Sequence, residues 1–443
     1  MRFFLAVLLV SALLGTTPAS AAPAAPVLSV PPDVALQNSA EALAAGNLET
    51  ALALVDGVLA TDSLNVRAHV LRSGIMRRLG RTDAALKDAR AASRLDDANP
   101  LVARVLALAL YDAARLDEAE TAARRAVFLA SRDPLAFNAL GLVLMARANA
   151  LLTSPPEGMS GPQAGLARGM LLEEARKNLE LAVAMNPAFV DALVNLGTVL
   201  TLQGRTAPAR EALEKARAQA PENASVYVAL GVLSMRTGDA HGAVATFEKA
   251  TEVDPQSISA LVNLASAHYV LGRLDDVSKL AAVVLERQPD NVPALVLRGS
   301  VRRDLGKMDE ATIDLELAVR LAPGDAAAHS ALGTLYLSVG SADAARQALE
   351  KSLALGGAEA AVQNNLGLAY KALARYQEAR LHFEKALEAQ PLQADIHFNL
   401  GVTLDLAGDR LGAIDHFNAY LNLAPNAPDA RVVRERVKEL HRR

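Results

Sequence analysis

A pattern of 34 residues is written twice between Ala360 and Pro425, and this repetition constrains the fold more than any other feature of the chain. The first copy carries, at fixed spacing, Asn365, Leu366, Gly367, Tyr370, Ala379, Phe383, Ala386 and Pro391. The second copy carries Asn399, Leu400, Gly401, Leu404, Ala413, Phe417, Tyr420 and Pro425. A fixed period of this length predicts a stack of similar units, in which each unit buries its apolar face against its neighbours.

Each unit is predicted to be a pair of helices. Apolar and small residues recur at helical intervals on both sides of a short break, as in two amphipathic helices joined by a turn. Gly367 and Ala379 fall where the two helices cross, and a larger residue there would overpack the contact at a cost of about 1–3 kcal/mol. Phe383 is expected to fill the space between neighbouring units. Pro391 follows the second helix, which a residue without a backbone N–H cannot continue.

This Leu-Gly, Tyr, Ala, Phe, Ala, Pro series resembles the tetratricopeptide repeat family. The tryptophan of that family is absent, since the chain has none. The composition, 51% hydrophobic but 4% aromatic, suits stacked Ala/Leu helices better than a β-sandwich. The resemblance implies an all-α fold, a right-handed solenoid of about eleven helix-turn-helix repeats.

The repeat phase gives the domain organisation. Carried backwards along the chain, it places the solenoid at residues 32–427, with units beginning near 32, 66, 100, 134, 190, 224, 258, 292, 326, 360 and 394. The first three units fit less well, because Ser39, Ser73 and Ala107 replace the crossing glycine. Val277 replaces the crossing alanine in the 258 unit, which predicts looser or shifted packing there.

The unit at 134 contains an insertion around residues 150–170. Its first helix is in phase, but its second helix comes 22 residues late. The surplus includes the Pro- and Gly-rich stretch 153–162, which predicts a projecting loop between lengthened helices. Such a loop can carry function. The alternative is an insertion that the fold merely tolerates.

The C-terminal segment 428–443 is predicted to form a capping helix. Its apolar stripe consists of Val432, Val433, Val437 and Leu440, and its other face is basic. A repeat stack needs a polar outer cap, so capping is favoured over a binding tail.

The N-terminus has the features of a secretory signal peptide. Residues 1–21 contain Arg2, an apolar run over 3–14 and the small-residue sequence Ala19-Ser20-Ala21. We expect cleavage after Ala21, followed by a Pro/Ala linker at 22–31. The protein would then be periplasmic or secreted, without an integral membrane span; an uncleaved anchor is the alternative. The absence of cysteine excludes disulfides, thiolate metal sites and a lipid-modified cysteine.

No catalytic or cofactor motif is present. The eight histidines lack the spacing of a zinc-binding helix, and there is neither a Gly-x-Ser-x-Gly elbow nor a Gly-x-Gly-x-x-Gly turn. The net charge of −4 does not favour a nucleic-acid partner. The sequence therefore predicts a protein that is not an enzyme and needs no metal or cofactor.

What remains is a binding surface. The resemblance implies that the first helices line a groove, with the second, fifth, ninth and twelfth places of each unit facing it. An apolar strip with scattered polar groups suits an extended peptide or an amphipathic helix. The candidate groove residues are Asn195, Val232, Asn263, Tyr269, Arg303, Leu337, Asn364, Asn365, Leu368, Lys371, Phe398, Asn399 and Asp405. The alternative is that several of them pack against the facing second helix.

Four of these candidates are asparagines at the sixth place of their units, namely Asn195, Asn263, Asn365 and Asn399. In some members of the family such asparagines form a ladder along a bound peptide backbone. Interruptions of the series by Ala229, Leu297 and Ala331 leave a structural role equally open.

The predicted function is a non-catalytic protein-interaction scaffold of the bacterial cell envelope. Repeated modest contacts along the groove would add through high effective concentration and support assembly of an envelope complex. A second hypothesis is a substrate-presenting subunit of a separately encoded enzyme, such as a glycosyltransferase or a peptidase. A third is self-association through the repeat ends.

Overall fold

The computed structural model describes residues 30–153, 156, 158, 159, 161–357 and 359–442. The predicted signal peptide and most of the linker lie outside these residues. The described residues fall into two compact units, an N-terminal unit (within 30–151 and 156–260) and a C-terminal unit (152–153 and within 261–442). Throughout the described ranges, the regular structure consists of helices.

The described part of the N-terminal unit contains eleven complete helices and α7 as far as Leu151. They are α1 Pro32–Ala44, α2 Leu48–Thr61, α3 Val66–Arg78, α4 Thr82–Leu95, α5 Pro100–Asp112, α6 Leu116–Leu129, α7 Pro134–Thr153, α8 Gly161–Met185, α9 Val190–Leu202, α10 Thr206–Gln219, α11 Ala224–Arg236 and α12 Ala240–Val253. The first helix of each of these repeats begins at the residue that the repeat phase predicts.

The C-terminal unit continues the alternation of first and second helices. Its helices are α13 Ile258–Val270, which enters it at Leu261, α14 Leu274–Arg287, α15 Val292–Asp304, α16 Met308–Leu321, α17 Ala326–Ser338, α18 Ala342–Ala354, α19 Glu359–Ala372, α20 Tyr376–Ala389, α21 Ala394–Ala407, α22 Arg410–Leu423 and α23 Ala430–Arg442. Here α19 begins one residue before the predicted start of its repeat.

Neighbouring helices pack in one recurring arrangement. Within the C-terminal unit, α19 contacts its own partner α20, α20 contacts α21, and α19 also contacts α21 directly. In the N-terminal unit, α3, α4 and α5 are related in the same way. The first helices of successive repeats therefore form a continuous row inside each unit, as the solenoid prediction requires.

The crossing of the two helices is filled by a large side chain from the second helix. A Cβ atom built on Gly367 would lie 2.6 Å from Cε1 of Phe383, and one on Gly401 would lie 2.8 Å from Cδ1 of Phe417. Phe383 is fully buried. Its ring thus packs against the glycine of its own unit and also shares a hydrophobic cluster with Ile396 and Leu400 of the next unit.

Units without the crossing glycine accommodate the larger residue in one of two ways: with a smaller side chain on the second helix, or with a hydrogen bond across the helix crossing. Where Ala107 replaces the glycine, the residue at the place of Phe383 is Ala123, and both alanines are fully buried. Ser73, also fully buried, donates its hydroxyl hydrogen bond to the carbonyl oxygen of Ala85 at 2.9 Å. Ser39 bonds to Ala51 in the same way at 2.7 Å. In the units that fit the repeat pattern less well, the helix crossing is therefore still packed, and its buried hydroxyl groups are hydrogen-bonded.

Two units replace an inner leucine by a buried ion pair. Arg298 stands at the place of Leu366 and donates two hydrogen bonds to Asp314, at 2.7 and 2.9 Å. Arg302 donates a third, also at 2.7 Å, and Asp314 is 2% exposed. Arg72 and Asp88 form the equivalent pair in the 66 unit. Sequence reasoning missed these pairs, although both arginines occur together with an aspartate sixteen residues later.

The insertion consists mostly of helix. α7 has 20 residues and α8 has 25, whereas the other helices have 13 or 14. The lengthened helices were predicted, but the predicted loop is reduced to the few residues between Thr153 and Gly161, of which 154, 155, 157 and 160 lie outside the described residues.

One segment of α7, Pro134–Leu152, is long and apolar enough to cross a membrane by length and composition. Just over half of that segment, 56%, is buried. Its residues Val143, Leu144 and Ala148 share a hydrophobic cluster with Leu179 of α8 and Leu193 of α9. This packing is that of a core helix of the repeat stack.

The last helix, α23, covers the end of the C-terminal unit. Ala430, Val433 and Leu440 are buried, and α23 contacts α22. Val432, predicted to belong to the apolar stripe, is instead 66% exposed. The stripe is therefore narrower than predicted, because the packed face follows Val433 and Leu440 and turns Val432 towards solvent.

Candidate functional site

Five half-buried groove candidates lie on two adjacent first helices of the C-terminal unit. Asn364, Leu368 and Lys371 are spaced by four and three residues on α19, so they share one face of that helix. Phe398 and Asn399 lie on the neighbouring helix α21, and all five side chains are half-buried. We call these five residues the α19–α21 patch.

The apolar part of the patch is anchored by aromatic packing. The ring of Phe398 lies 5.2 Å from the ring of Tyr420 and 6.3 Å from that of Phe417, measured between centroids, with tilted planes. Leu368 packs against the same hydrophobic cluster. Such ring pairs contribute about 0.5–1.5 kcal/mol beyond burial. Phe398 is thus held in place while part of its surface stays accessible.

The polar part of the patch is incompletely satisfied. The side-chain oxygen of Asn364 is buried and accepts no hydrogen bond from any described residue. The Lys371 ammonium donates to Asn399 Oδ1 at 3.4 Å, a long bond, and burial lowers the pKa of Lys371. An unpaired buried acceptor costs about 1–3 kcal/mol. The patch therefore offers one acceptor and one cation to a ligand.

The sixth-place asparagines mostly bond between neighbouring first helices. Asn365 donates to Thr334 Oγ1 of α17 at 3.0 Å, and in the N-terminal unit Asn195 donates to Asn138 Oδ1 of α7 at 2.9 Å. Asn263 is only 3% exposed. These contacts give the series a structural role, the alternative that the sequence left open. They do not arrange it as a free ladder.

Tyr269, Arg303 and Asp304 form a closed cluster. Arg303 donates to the hydroxyl oxygen of Tyr269 at 3.1 Å and to Asp304 Oδ1 at 2.7 Å, and the Tyr269 hydroxyl donates to Asp304 Oδ2 at 2.9 Å. Burial raises the pKa of Tyr269 to about 12. The charge of Arg303 is neutralised by its own neighbour, so Arg303 contributes little to a partner.

Asp405 belongs to the C-terminal cap. Arg436 of α23 donates two hydrogen bonds to its carboxylate, at 2.7 and 2.8 Å, in a bidentate pair. The remaining two candidates are apolar: Val232 is buried, and Leu337 is half-buried against the core. The structure thus places Asn364, Leu368, Lys371, Phe398 and Asn399 together and commits the other eight candidates to packing or internal bonds.

Several histidines have a structural role that the sequence did not predict. His69, His329 and His397 each place Nε2 within 3.0–3.1 Å of the carbonyl oxygen six residues earlier, in the turn that precedes their helix. Tyr227 bonds the equivalent carbonyl of Pro221 at 2.9 Å. Because all four occupy the fourth place of a unit, a recurring His or Tyr there was the signal. Among the described residues, no group of three or more acidic or histidine side chains is placed to hold a metal ion.

The class of protein follows from this architecture: a stack of two-helix repeats whose first helices offer a partly unsatisfied surface. Three sequence profiles, each described as tetratricopeptide repeat, match residues 39–100 and 364–428, residues 172–231 and 234–297, and residues 292–325. These segments cover more than half of the chain. The protein belongs to the tetratricopeptide repeat family, whose repeats form protein-interaction scaffolds. No curated protein sequence matches it.

Several solved structures are similar to this chain at low sequence identity, and the first of them shows the same fold. The APC/C hetero-tetramer Cut9-Hcn1 aligns with a TM-score of 0.54 at 15% identity over 92% of this chain and 96% of that one. The yeast protein Tom70 aligns with a TM-score of 0.42 at 14% identity, covering 93% and 95%. A thermophilic TPR protein of Thermus thermophilus is 22% identical, with a TM-score of 0.41, over 46% of this chain and 98% of its own. At 15% identity, the likeness to Cut9-Hcn1 concerns the fold alone.

Proposed function

We propose that this protein is a scaffold of the bacterial cell envelope that binds an extended or helical segment of a partner protein on the α19–α21 patch. The observation that carries the proposal is the combination of Asn364 and Lys371, both short of hydrogen-bond partners, beside the accessible surfaces of Leu368 and Phe398. A backbone N–H of the partner would satisfy Asn364 Oδ1. A partner carbonyl or carboxylate would accept from Lys371, and an apolar side chain would cover Phe398.

The cellular setting rests on the N-terminal sequence. Residues 1–21 have the charge, apolar run and small-residue site of a cleavable signal, which supports a periplasmic or secreted protein. A repeat scaffold in that compartment would hold the components of an envelope complex together. In the proposed role as a scaffold, the protein carries out no catalytic step and needs no cofactor.

The test is affinity purification from the native envelope fraction with the parent protein and the double variant Leu368→Glu/Phe398→Ala. The matched control is Leu381→Glu, which changes an exposed leucine on the second helix α20. We expect a partner that is recovered with the parent and the control and is lost with the double variant, while far-ultraviolet circular dichroism shows all three folded. Recovery of the same partners by the folded double variant would refute the patch as the binding surface.

The variant Asn364→Leu separates binding from folding. It removes the unsatisfied oxygen, so we expect unchanged or increased thermal stability together with weaker binding of the recovered partner. A loss of stability would show that Asn364 serves the fold. If the recovered partner is a glycosyltransferase or a peptidase, the scaffold is a substrate-presenting subunit, the second function that the sequence suggested.

A further inference from the structure

The helix α8 exposes an unusual number of large apolar side chains. It carries four of them, between 40% and 70% exposed, whereas no other helix of the described ranges carries more than two. They are Leu166, Met170, Leu181 and Met185. The core residues Leu172, Ala175 and Leu179 lie on the opposite side of the same helix. Exposed apolar surface of this kind marks an interaction site.

The insertion creates this exposed face. α8 has 25 residues, whereas the second helices of the other repeats have 13 or 14. A second helix of ordinary length that ended at Met185 would begin at Leu172 and would span about 21 Å, instead of the about 37 Å of α8. The extra turns before Leu172 supply Leu166 and Met170. Half of the exposed apolar residues therefore belong to the insertion.

Two charged residues complete the face, which we call the α8 stripe. In chain order, the stripe consists of Leu166, Met170, Glu174, Lys177, Leu181 and Met185. The spacings of four, four, three, four and four residues keep all six within an arc of about 100° on one side of the helix. From either end, the stripe presents two apolar residues, a pair of opposite charges and two apolar residues. Its order is thus the same in both directions, with the signs of the central charges exchanged.

The central lysine of the stripe has no close partner within its own helix. The Lys177 ammonium lies 3.9 Å from Glu173, beyond hydrogen-bonding distance, and its side chain is 66% exposed. Glu174 is held more firmly, because Arg124 of α6 donates to both of its carboxylate oxygens, at 2.6 and 2.9 Å. A carboxylate has lone pairs for further donors beside these two bonds.

We propose that the α8 stripe is a self-association surface, on which a second copy of the chain binds antiparallel through its own α8. A two-fold axis would pass through the centre of the stripe. Leu166 then meets Met185 of the second copy, and Met170 meets its Leu181. Each exposed apolar side chain is thereby covered by another. The contact uses the insertion and not the ends of the repeat stack.

The central charges favour a second copy in this orientation. In the antiparallel pair, Glu174 of each chain meets Lys177 of the other. In a parallel pair, Glu174 would face Glu174 and Lys177 would face Lys177, and these like charges would oppose the contact. An unrelated partner would need the same order of apolar and charged residues, which a second copy always carries.

The expected dimer is weak. The stripe is about 28 Å long, and one pair of helices of that length buries less surface than the about 1,200–2,000 Å² of a stable interface. We therefore expect a dissociation constant in the micromolar range. The α8 stripe lies in the N-terminal unit, so its self-association does not depend on the α19–α21 patch. If that patch binds a partner as proposed, a dimer would present two copies of it, and a partner with two binding segments would gain through effective concentration.

The experiment is sedimentation velocity over a range of concentrations, with the full chain and its variant Met170→Glu. The matched control is Ile313→Glu, which changes an apolar residue of α16 with nearly the same exposure, 65% against 67%. We expect dimers of the parent and the control, and a dissociation constant raised about tenfold or more in Met170→Glu. A parent that stays monomeric at hundreds of micromolar, or a folded Met170→Glu variant that dimerises like the parent, would overturn the proposal.

Cysteine cross-linking tests the antiparallel register. The chain has no cysteine, so each introduced thiol is unique. A short thiol-reactive cross-linker should join Met170→Cys chains to Leu181→Cys chains in a mixture. Either variant alone should stay uncross-linked, because the two copies of its thiol would lie about 16 Å apart along the helices. Cross-linking of each variant with itself, without cross-linking between the two, would contradict the register.

The remaining outcomes separate the other occupants of the stripe. A monomeric parent that binds phosphatidylglycerol vesicles, with binding lost in Met170→Glu, would assign the stripe to a membrane surface and overturn the proposal. The double variant Leu368→Glu/Phe398→Ala should dimerise like the parent. Loss of the dimer in that folded double variant would place the self-association surface on the α19–α21 patch and would likewise refute the assignment to α8.

Discussion

Replacing Gly367 by alanine should destabilise the repeat that contains it, although alanine favours helix. The added Cβ atom would lie 2.6 Å from Cε1 of Phe383 and 2.7 Å from both Cδ1 and Cζ. The ring is fully buried and has no free space to move into. Overpacking costs about 1–3 kcal/mol, and the higher helix propensity of alanine returns about 1 kcal/mol. We therefore expect a net loss of up to about 2 kcal/mol.

The assay must report on the affected repeat, since a long repeat array need not unfold in a single step. Amide hydrogen exchange in α19 and α20 gives the local free energy of opening. Gly74→Ala is the matched control, because this helical glycine has no atom within 4 Å of its added Cβ. The control should become more stable by about 0.5–1 kcal/mol.

A second variant tests the volume argument directly. Phe383→Ala alone should cost about 3–5 kcal/mol, as expected for a buried phenylalanine. In the double variant Gly367→Ala/Phe383→Ala the clash disappears, and the crossing acquires the alanine pair that Ala107 and Ala123 form elsewhere. We expect a favourable coupling of about 1–3 kcal/mol between the two changes. A gain in protection for Gly367→Ala equal to that of the Gly74→Ala control, or strict additivity in the double variant, would refute the steric argument.

Three further predictions concern charge and pH. Asp314→Ala should lower the free energy of unfolding of the C-terminal unit by about 3–5 kcal/mol, measured in urea, because half-buried Arg298 loses its carboxylate partner and Arg302 keeps only Glu310. Burial, and next the charge of His397, lower the pKa of His416, so the unfolded chain binds a proton more readily and stability should fall as the pH drops below about 6.5. Thermal melts between about pH 7 and pH 5 should show a weaker fall in His416→Gln; an identical fall would refute the assignment. Burial raises the pKa of Tyr269 to about 12, and the hydrogen bond to Asp429 is the main cause that raises the pKa of Tyr420 to about 12. Their stabilising contribution should be complete below about pH 10 and lost as the pH rises through 12, and absorbance titration of Tyr269→Phe should lack one late-ionising tyrosine.

The sequence predicts the first residue of each repeat to within one position because the residues that mark the repeat are local signals. The crossing glycine and the proline after the second helix recur at fixed spacing, and the proline ends its helix through its own backbone. The direction in which a side chain packs depends on residues from other helices. The spacing of Phe383 does not reveal whether its ring faces its own glycine or the next unit, so its position was predicted only in part.

The candidate site was predicted less completely because partners from other elements decide which side chains remain available. Arg303 and Asp405 occupy places that should face a ligand, yet Asp304 and Arg436 neutralise them. Asp405 and Arg436 lie 31 residues apart, so their pairing is invisible until the helices are stacked.

The volume match at the helix crossing also bears on how such a chain can change during evolution. Gly367 and Phe383 lie within a single 34-residue unit, as do Ala107 and Ala123. The two residues whose volumes must match at the helix crossing therefore belong to the same unit. Duplication or deletion of one whole unit carries both members of the pair with it, whereas recombination between the two helices would join a glycine to an alanine or an alanine to a phenylalanine. Cassettes cut at the turn between repeats should consequently be exchangeable, and cassettes cut between the two helices should leave cavities or clashes.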